Sequence, residues 1–266
     1  MITRLQNQLL AGLPQTALMY HSTHKGGENW RWSLALADFE RQLNAVKAAG
    51  LNAGSITDAL GRRSGANLLL TFDDGYANTL EALELILARG FSATLFVVTN
   101  HIGGQSNWPG SDRSLPLLSL TDIKRLAGLG IEIAVHGATH EDMTQLPQQQ
   151  LSRQLTEAKG FLEELTGQRV TGLAYPYGRY NPGVIETVKS CGFEYACCTE
   201  AGRLSASESE YQLKRITIEN GDSLTSFQRK LILGGNNADK GALLSYMVKS
   251  MIARKPANLK SHRNPL

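Results

Sequence analysis

Cysteine is scarce. The chain has three among 266 residues, Cys191, Cys197 and Cys198, an odd number gathered in one short segment. They cannot build a disulfide framework and lack the paired spacing of a zinc ribbon, so reduced, buried thiols are expected. No run of ~18 apolar residues occurs, which argues against a spanning helix. From Met1 to Gln8 there is no apolar run behind a basic cluster. No export signal is therefore expected, and a cytoplasmic location, or one at the inner face of the membrane, is the corresponding expectation. Charged residues make up 19% with a net charge of +3, too little to imply a nucleic-acid partner. Internal repeats and low-complexity blocks are also lacking.

What is present suffices for one large domain, with 42% hydrophobic residues in a chain near the ~250 residues usual for an α/β barrel. Charge is unevenly spread. From Arg229 to Leu266 eight basic residues and one acidic residue give +7, leaving residues 1–228 at −4. Within that tail, Lys240–Lys255 places Leu243, Leu244, Met247, Val248, Met251 and Ile252 along one face of a basic amphipathic helix. Docking of this face onto the body is the first expectation. Peripheral contact with a membrane surface or partner is the second.

Apolar runs rich in β-branched or aromatic residues alternate with stretches of helical period. The strands expected are Ala17–Tyr20, Asn67–Phe72, Ala93–Val98, Ile131–Val135, Thr171–Tyr175, Glu194–Cys198 and Leu213–Ile218. Helices are expected at Thr79–Arg89, stopped by Gly90, at Leu120–Leu129 with Thr121 as a cap, at Gln148–Thr166 and at Pro182–Ser190. Gly26–Asn29 and Gly103–Ser114, with Trp108-Pro109-Gly110, have loop composition. Repeated βα units imply a mostly parallel sheet, open or closed into a barrel, with its site at the C-terminal strand ends.

Three strand ends carry chemistry. Leu70-Thr71-Phe72 runs into Asp73-Asp74-Gly75, two adjacent carboxylates that are poorly ionised together unless a cation sits beside them. Ile131–Val135 runs into His136-Gly137-Ala138-Thr139-His140, two imidazoles that a turn can bring to one ion. Asp74, His136 and His140 together form the two-imidazole, one-carboxylate set that binds zinc or another borderline divalent ion and leaves positions open; cobalt, nickel and iron also suit it. Asp73 is then free to act as a base. Leu173-Ala174 runs into Tyr175-Pro176-Tyr177-Gly178, a turn whose backbone can face a substrate. Taken singly, each has a bland alternative: a solvated loop start, a lone histidine turn, a packed aromatic turn.

These motifs, in this order, resemble those of the metal-dependent polysaccharide deacetylases with a NodB homology domain, carbohydrate esterase family four. The resemblance covers about residues 16–233. It implies an α/β fold, a distorted (β/α)7-type barrel with parallel strands over residues 1–233, followed by a basic amphipathic helix and tail over 234–266. It implies hydrolysis of an N-acetyl or O-acetyl group from a sugar, with Asp74, His136 and His140 as metal ligands and Asp73 as general base. The Tyr177 backbone N–H would help hold the oxyanion.

The chain departs from that pattern twice. Where most members have an arginine two places before the third-motif proline, it has Ala174, and Arg215 is one candidate replacement. Most members also carry a general-acid histidine in a C-terminal Leu-x-His motif. Here the sole histidine after His140 is His262, in the tail. Ala17-Leu18-Met19-Tyr20-His21 offers an imidazole at the end of the first strand instead, which resembles the circularly permuted poly-N-acetylglucosamine deacetylases; His24 is the alternative and His101 reads as a surface residue. A leaving amine needs such an acid more than an alkoxide does, so N-deacetylation is favoured over O-acetyl ester cleavage. A sugar-binding barrel without catalysis, or a membrane-associated scaffold around Lys240–Lys255, are the rival expectations. Trp30, Trp32 and Trp108 serve either sugar stacking or loop packing.

Overall fold

The computed structural model describes residues 14–61, 65–108, 113–205, 207, 209–237 and 239–253, with residues 248–253 described in backbone alone. Pro109 and Gly110, Arg254, Lys255 and His262, and residues 1–13 lie outside the described residues, as do the side chains of Val248, Lys249, Met251 and Ile252.

Ten strands and eight α-helices are seen among the described residues. In chain order they are β1 (Thr16–Tyr20), β2 (Ser22–His24), β3 (Ser33–Ala35), α1 (Leu36–Ala48), β4 (Ala53–Gly54), α2 (Ile56–Leu60), β5 (Leu68–Phe72), α3 (Leu80–Ala88) and β6 (Thr94–Val97). There follow α4 (Leu120–Gly128), β7 (Glu132–Val135), α5 (Gln148–Thr166), β8 (Gly172–Ala174), α6 (Pro182–Ser190), β9 (Tyr195–Cys197), β10 (Arg215–Thr217), α7 (Leu224–Leu233) and α8 (Lys240–Ala253). The seven expected strands are all present. Strands β2, β3 and β4 and helices α1, α2 and α7 are additions.

One sheet runs in the order β10-β1-β5-β6-β7-β8-β9, every pair parallel. The short β4 pairs with the N-terminal part of β5, at Leu68 and Leu69, while β6 takes the C-terminal part, at Thr71 and Phe72. The ends of the sheet meet. A parallel bridge joins Cys197 to Leu213, and the N–H of Cys198 donates to Leu213 O at 3.0 Å. The result is the nearly closed, parallel-stranded α/β barrel expected, with seven strands around it and β4 as a wedge.

Side chains alternate along a strand, so each strand feeds two cores. Leu18, Leu68, Leu70, Leu95, Ile133, Leu173 and Ile216 face the helices and join Phe39, Leu83, Leu126, Leu155 and Phe227 in the larger one. Ala17, Leu69, Phe96, Ala134, Ala174, Tyr195 and Cys197 fill the barrel interior. The interior must be built of small residues where a large one intrudes. At Gly172 a Cβ would sit 2.1 Å from the Tyr195 ring, so glycine there makes room for it.

Helix α4 corrects one expectation: its N-cap is Ser119, whose hydroxyl accepts from the Asp122 N–H in a capping box, while Thr121 lies inside the helix. Helix α3 ends as anticipated, with Gly90 at φ 74°. Helix α8 lies against α7 through Leu243, which is buried, with Tyr246 and Met247 half-buried beside it, whereas Leu244 is 64% exposed. No described helix is long and apolar enough to cross a membrane.

Candidate active site

The strand alternation that fills the barrel also aims the chemistry. Leu69, Thr71 and Asp73 follow one another at intervals of two along β5, as do Ala134 and His136 from β7, and Ala17, Met19 and His21 from β1. Each series runs up the interior and ends at the C-terminal mouth. There a cleft of about 470 Å³ is lined by His21, Asp73, Asp74, His136, His140, Tyr177, Arg31 and the three tryptophans, among others. The six residues singled out from the sequence thus meet in one cavity. His24 does not: it lines a separate surface depression with Lys25, Asn78 and Glu81.

Asp74 Oδ1 stands 3.2 Å from Nε2 of both His136 and His140. One ligand atom from each of the three residues lies within 4.8 Å of the others, and all three are buried. The His136 Nδ1–H donates to Ala174 O at 2.9 Å, which turns the Nε2 lone pair toward the carboxylate. Two acceptors facing one another must share a proton or another cation. Asp74 Oδ1 makes no hydrogen bond of its own although it is buried. Burial alone pushes the Asp74 carboxyl up, but the two imidazoles beside it prevail and hold it well below the usual carboxylate range. Burial pushes His136 down, yet Asp74 and Asp73 raise it overall; at His140 burial prevails and the ring lies lower. The donor set and its unsatisfied carboxylate oxygen fit a divalent metal ion.

Asp73 is answered differently. Its Oδ1 and Oδ2 accept from Nη1 and Nη2 of Arg215 at 2.6 and 2.8 Å, a bidentate pair with the guanidinium fully buried. Arg215 Nε–H donates to Cys198 O at 3.0 Å, and Nη1 also reaches Thr71 Oγ1 at 3.1 Å, so the fork is fixed from β5 and from the end of β9. Burial raises the Asp73 carboxyl, but Arg215 foremost, with His136, brings it below the ordinary value. The arginine missing at Ala174 is therefore supplied from β10, and the small Ala174 side chain sits in the barrel core.

His21 lies beside Trp32, ring centroids 4.5 Å apart, and its Nδ1 is buried without a hydrogen-bond partner. Burial lowers this imidazole below its usual value against the pull of Asp74 and Asp73. The next residue, Ser22, bonds Ser33 and exchanges hydrogen bonds with Asn78, while Thr23 Oγ1 donates to Asn78 O at 2.6 Å. The chain after His21 is thus tied to the chain after Asp74. Trp108 stacks on His140 at 4.5 Å, and Trp30, Tyr76 and Trp108 form a small apolar cluster over the mouth. The three tryptophans are packed loop residues that line the cleft.

Three non-glycine residues among those described have positive φ: Asp74 (74°), His140 (58°) and Tyr177 (58°). Such backbone costs of order 1 kcal/mol or more apiece and persists where surroundings enforce it. All three belong to this site. Composition had not pointed to Thr199, Thr217 or Asn236, which also line the cleft; small polar residues on loops carry no periodic signal.

The profile described as "Polysaccharide deacetylase" matches residues 61–196, just over half of the chain. A chitin deacetylase of Pestalotiopsis sp is 29% identical over 168 residues, 62% of this chain and 50% of that protein, so the chain spans about half the length of such relatives. The poly-beta-1,6-N-acetyl-D-glucosamine N-deacetylase of Staphylococcus aureus (strain MRSA252) is 23% identical over 76% of this chain and 72% of its own. Among solved structures, the Streptococcus pyogenes deacetylase PplD in complex with acetate superposes with a TM-score of 0.72 at 23% identity, covering 82% of this chain and 97% of that one. IcaB from Ammonifex degensii gives 0.69 at 21% identity over 82% and 96%. These likenesses bear out the fold, and with the profile match and the three motifs in their order, the chain belongs to the polysaccharide deacetylase family.

Proposed function

We propose that the protein is a metal-dependent hydrolase that removes N-acetyl groups from a saccharide containing N-acetylhexosamine. The observation that carries this reading is the pairing of two unlike carboxylates: Asp74 facing two imidazoles with an unsatisfied oxygen, and Asp73 clamped by Arg215 beside it. Asp74, His136 and His140 would hold the cation, for which zinc suits the donor set best. When bound, the cation supplies Lewis acidity toward the acetyl oxygen and lowers the pKa of water.

The chain's own groups do the rest. Asp73, ionised, uses a lone pair left over from the Arg215 fork to take the proton of the attacking water. The Tyr177 N–H, held in a left-handed turn, contributes a donor toward the developing oxyanion. As the carbon–nitrogen bond breaks, His21 gives its proton to the leaving nitrogen, so that acetate and a free amine result. A relative that acts on poly-beta-1,6-N-acetyl-D-glucosamine and another solved with acetate support this substrate class. Arg215 also weakens the case for a non-catalytic sugar-binding barrel, which the absent third-motif arginine had favoured.

The test is Asp73→Asn. Acetate release from an N-acetylated oligosaccharide should fall about 10²–10⁴-fold, while zinc binding measured by calorimetry is retained. Turnover at the wild-type rate would remove the base assignment.

A further inference from the structure

Strand β10 contributes more than Arg215. Two residues on, Thr217 again faces inward and lines the cleft, level with Met19 of β1, two residues before His21. Its backbone N–H lies at the end of the ladder and donates to Asn236 Oδ1 at 2.8 Å. A backbone N–H can only donate, so the carboxamide orientation is fixed: Oδ1 faces Thr217 and Nδ2 is the free end. Asn236 Nδ2 approaches Thr217 Oγ1 at 3.4 Å. Its other proton has no acceptor among the described residues, and the residue lies exposed on the cleft rim.

The segment that brings Asn236 there is held at both ends. Helix α7 stops at Gly234 in a left-handed turn, φ 73°. Arg203 Nη2 donates to the last carbonyls, Leu231 O at 2.9 Å and Ile232 O at 2.7 Å. The positive φ favours glycine at this turn, and a Cβ there would also come within 2.9 Å of that guanidinium and displace it. Helix α8 docks on α7 just beyond. Asn236 is therefore a preset donor, whose own acceptor oxygen is already used.

We propose that Asn236 is a specificity-determining residue, donating from Nδ2 to an oxygen of the sugar on the side of the cleft where His21 meets the leaving nitrogen. Sugar hydroxyl, ring and glycosidic oxygens all accept hydrogen bonds, whereas an acyl methyl does not. The contact belongs to saccharide recognition, and it draws residues past 233 into the site. The inference rests on the deacetylase reading of this cleft.

Asn236→Ala tests it, with penta-N-acetylchitopentaose and 4-nitrophenyl acetate as paired substrates. The KM for the pentasaccharide should rise roughly five- to tenfold, the size of one neutral hydrogen bond, and kcat/KM on the small ester, which has no sugar, should fall by a clearly smaller factor. Equal losses on both substrates, or an unchanged KM for the pentasaccharide, would overturn it. If the wild-type chain releases no acetate, the deacetylase reading fails by itself. Calorimetric binding of the pentasaccharide then decides the inference: weaker binding by the variant supports it, and equal binding, or none by wild type, overturns it.

Discussion

Both ends of the barrel hold carboxylates, one at the floor and two at the mouth, and they are treated in opposite ways. At the N-terminal end, Glu132 opens β7 and accepts from the Thr57 N–H at 3.1 Å, the Thr57 hydroxyl, Thr94 Oγ1 at 2.6 Å and Tyr195 OH at 2.8 Å. Its partners are neutral donors, and no described non-glycine residue nearby has positive φ. At the C-terminal end, Asp73 is gripped by a buried guanidinium, Asp74 faces two imidazole nitrogens, and three residues hold strained backbone. A half-buried acid met by neutral hydroxyl and amide donors closes a floor. One left wanting a cation is equipped to bind something.

The largest effect should come from His136→Ala. Losing one of three ligands should abolish zinc binding in calorimetry and lower acetate release by at least about 10³-fold, since metal-supplied water activation is lost with it. His21→Ala follows, with a fall of about 10²-fold on an N-acetyl sugar and a much smaller one on an activated acetate ester. Equal losses would contradict its role as acid.

Arg215→Met sharpens the contrast at the base. Asp73 is held low by Arg215, so its reactive anion is present above the folded pKa and is lost as pH falls through it. Without the guanidinium, the acid limb of the pH–rate profile should move to higher pH, and unfolding in denaturant should show a loss of about 3–5 kcal/mol, as for one partner removed from a buried pair. A limb that stays in place would show that the clamp does not set the base.

The smallest catalytic effect should come from Glu132→Gln. Stability should drop by about 1–3 kcal/mol, read as a lower denaturation midpoint, with acetate release per folded molecule within twofold of wild type. A large catalytic loss at unchanged stability would erase the distinction between the two ends.

Much of this was legible because strand period and site chemistry share one signal: an apolar run gives way at its C-terminal end to Asp73-Asp74, to His136, to Tyr175 or to His21. The unread parts have physical causes. Helix α1 buries Phe39, Gln42, Leu43 and Val46, but the polar Gln42 interrupts its apolar stripe, and no side chain caps its start. Strands β2, β3 and β4 have two or three residues each, too few to show a period. In the sequence Arg215 is one candidate for the missing arginine and no more, since its role depends on the barrel bringing β10 near β5 through β1. Asn236 sits on a turn after α7 and matched no pattern at all.

The seam where the barrel shuts has a consequence of its own. Between β9 and β10 the closure is a single bridge with flanking hydrogen bonds, and Arg215 leans across it, one nitrogen on Cys198 O and two on Asp73. Whatever pries that joint apart also releases Asp73, the proposed proton acceptor, from its holder. Mild loosening should therefore silence the molecule while its outline and most of its helices are still intact.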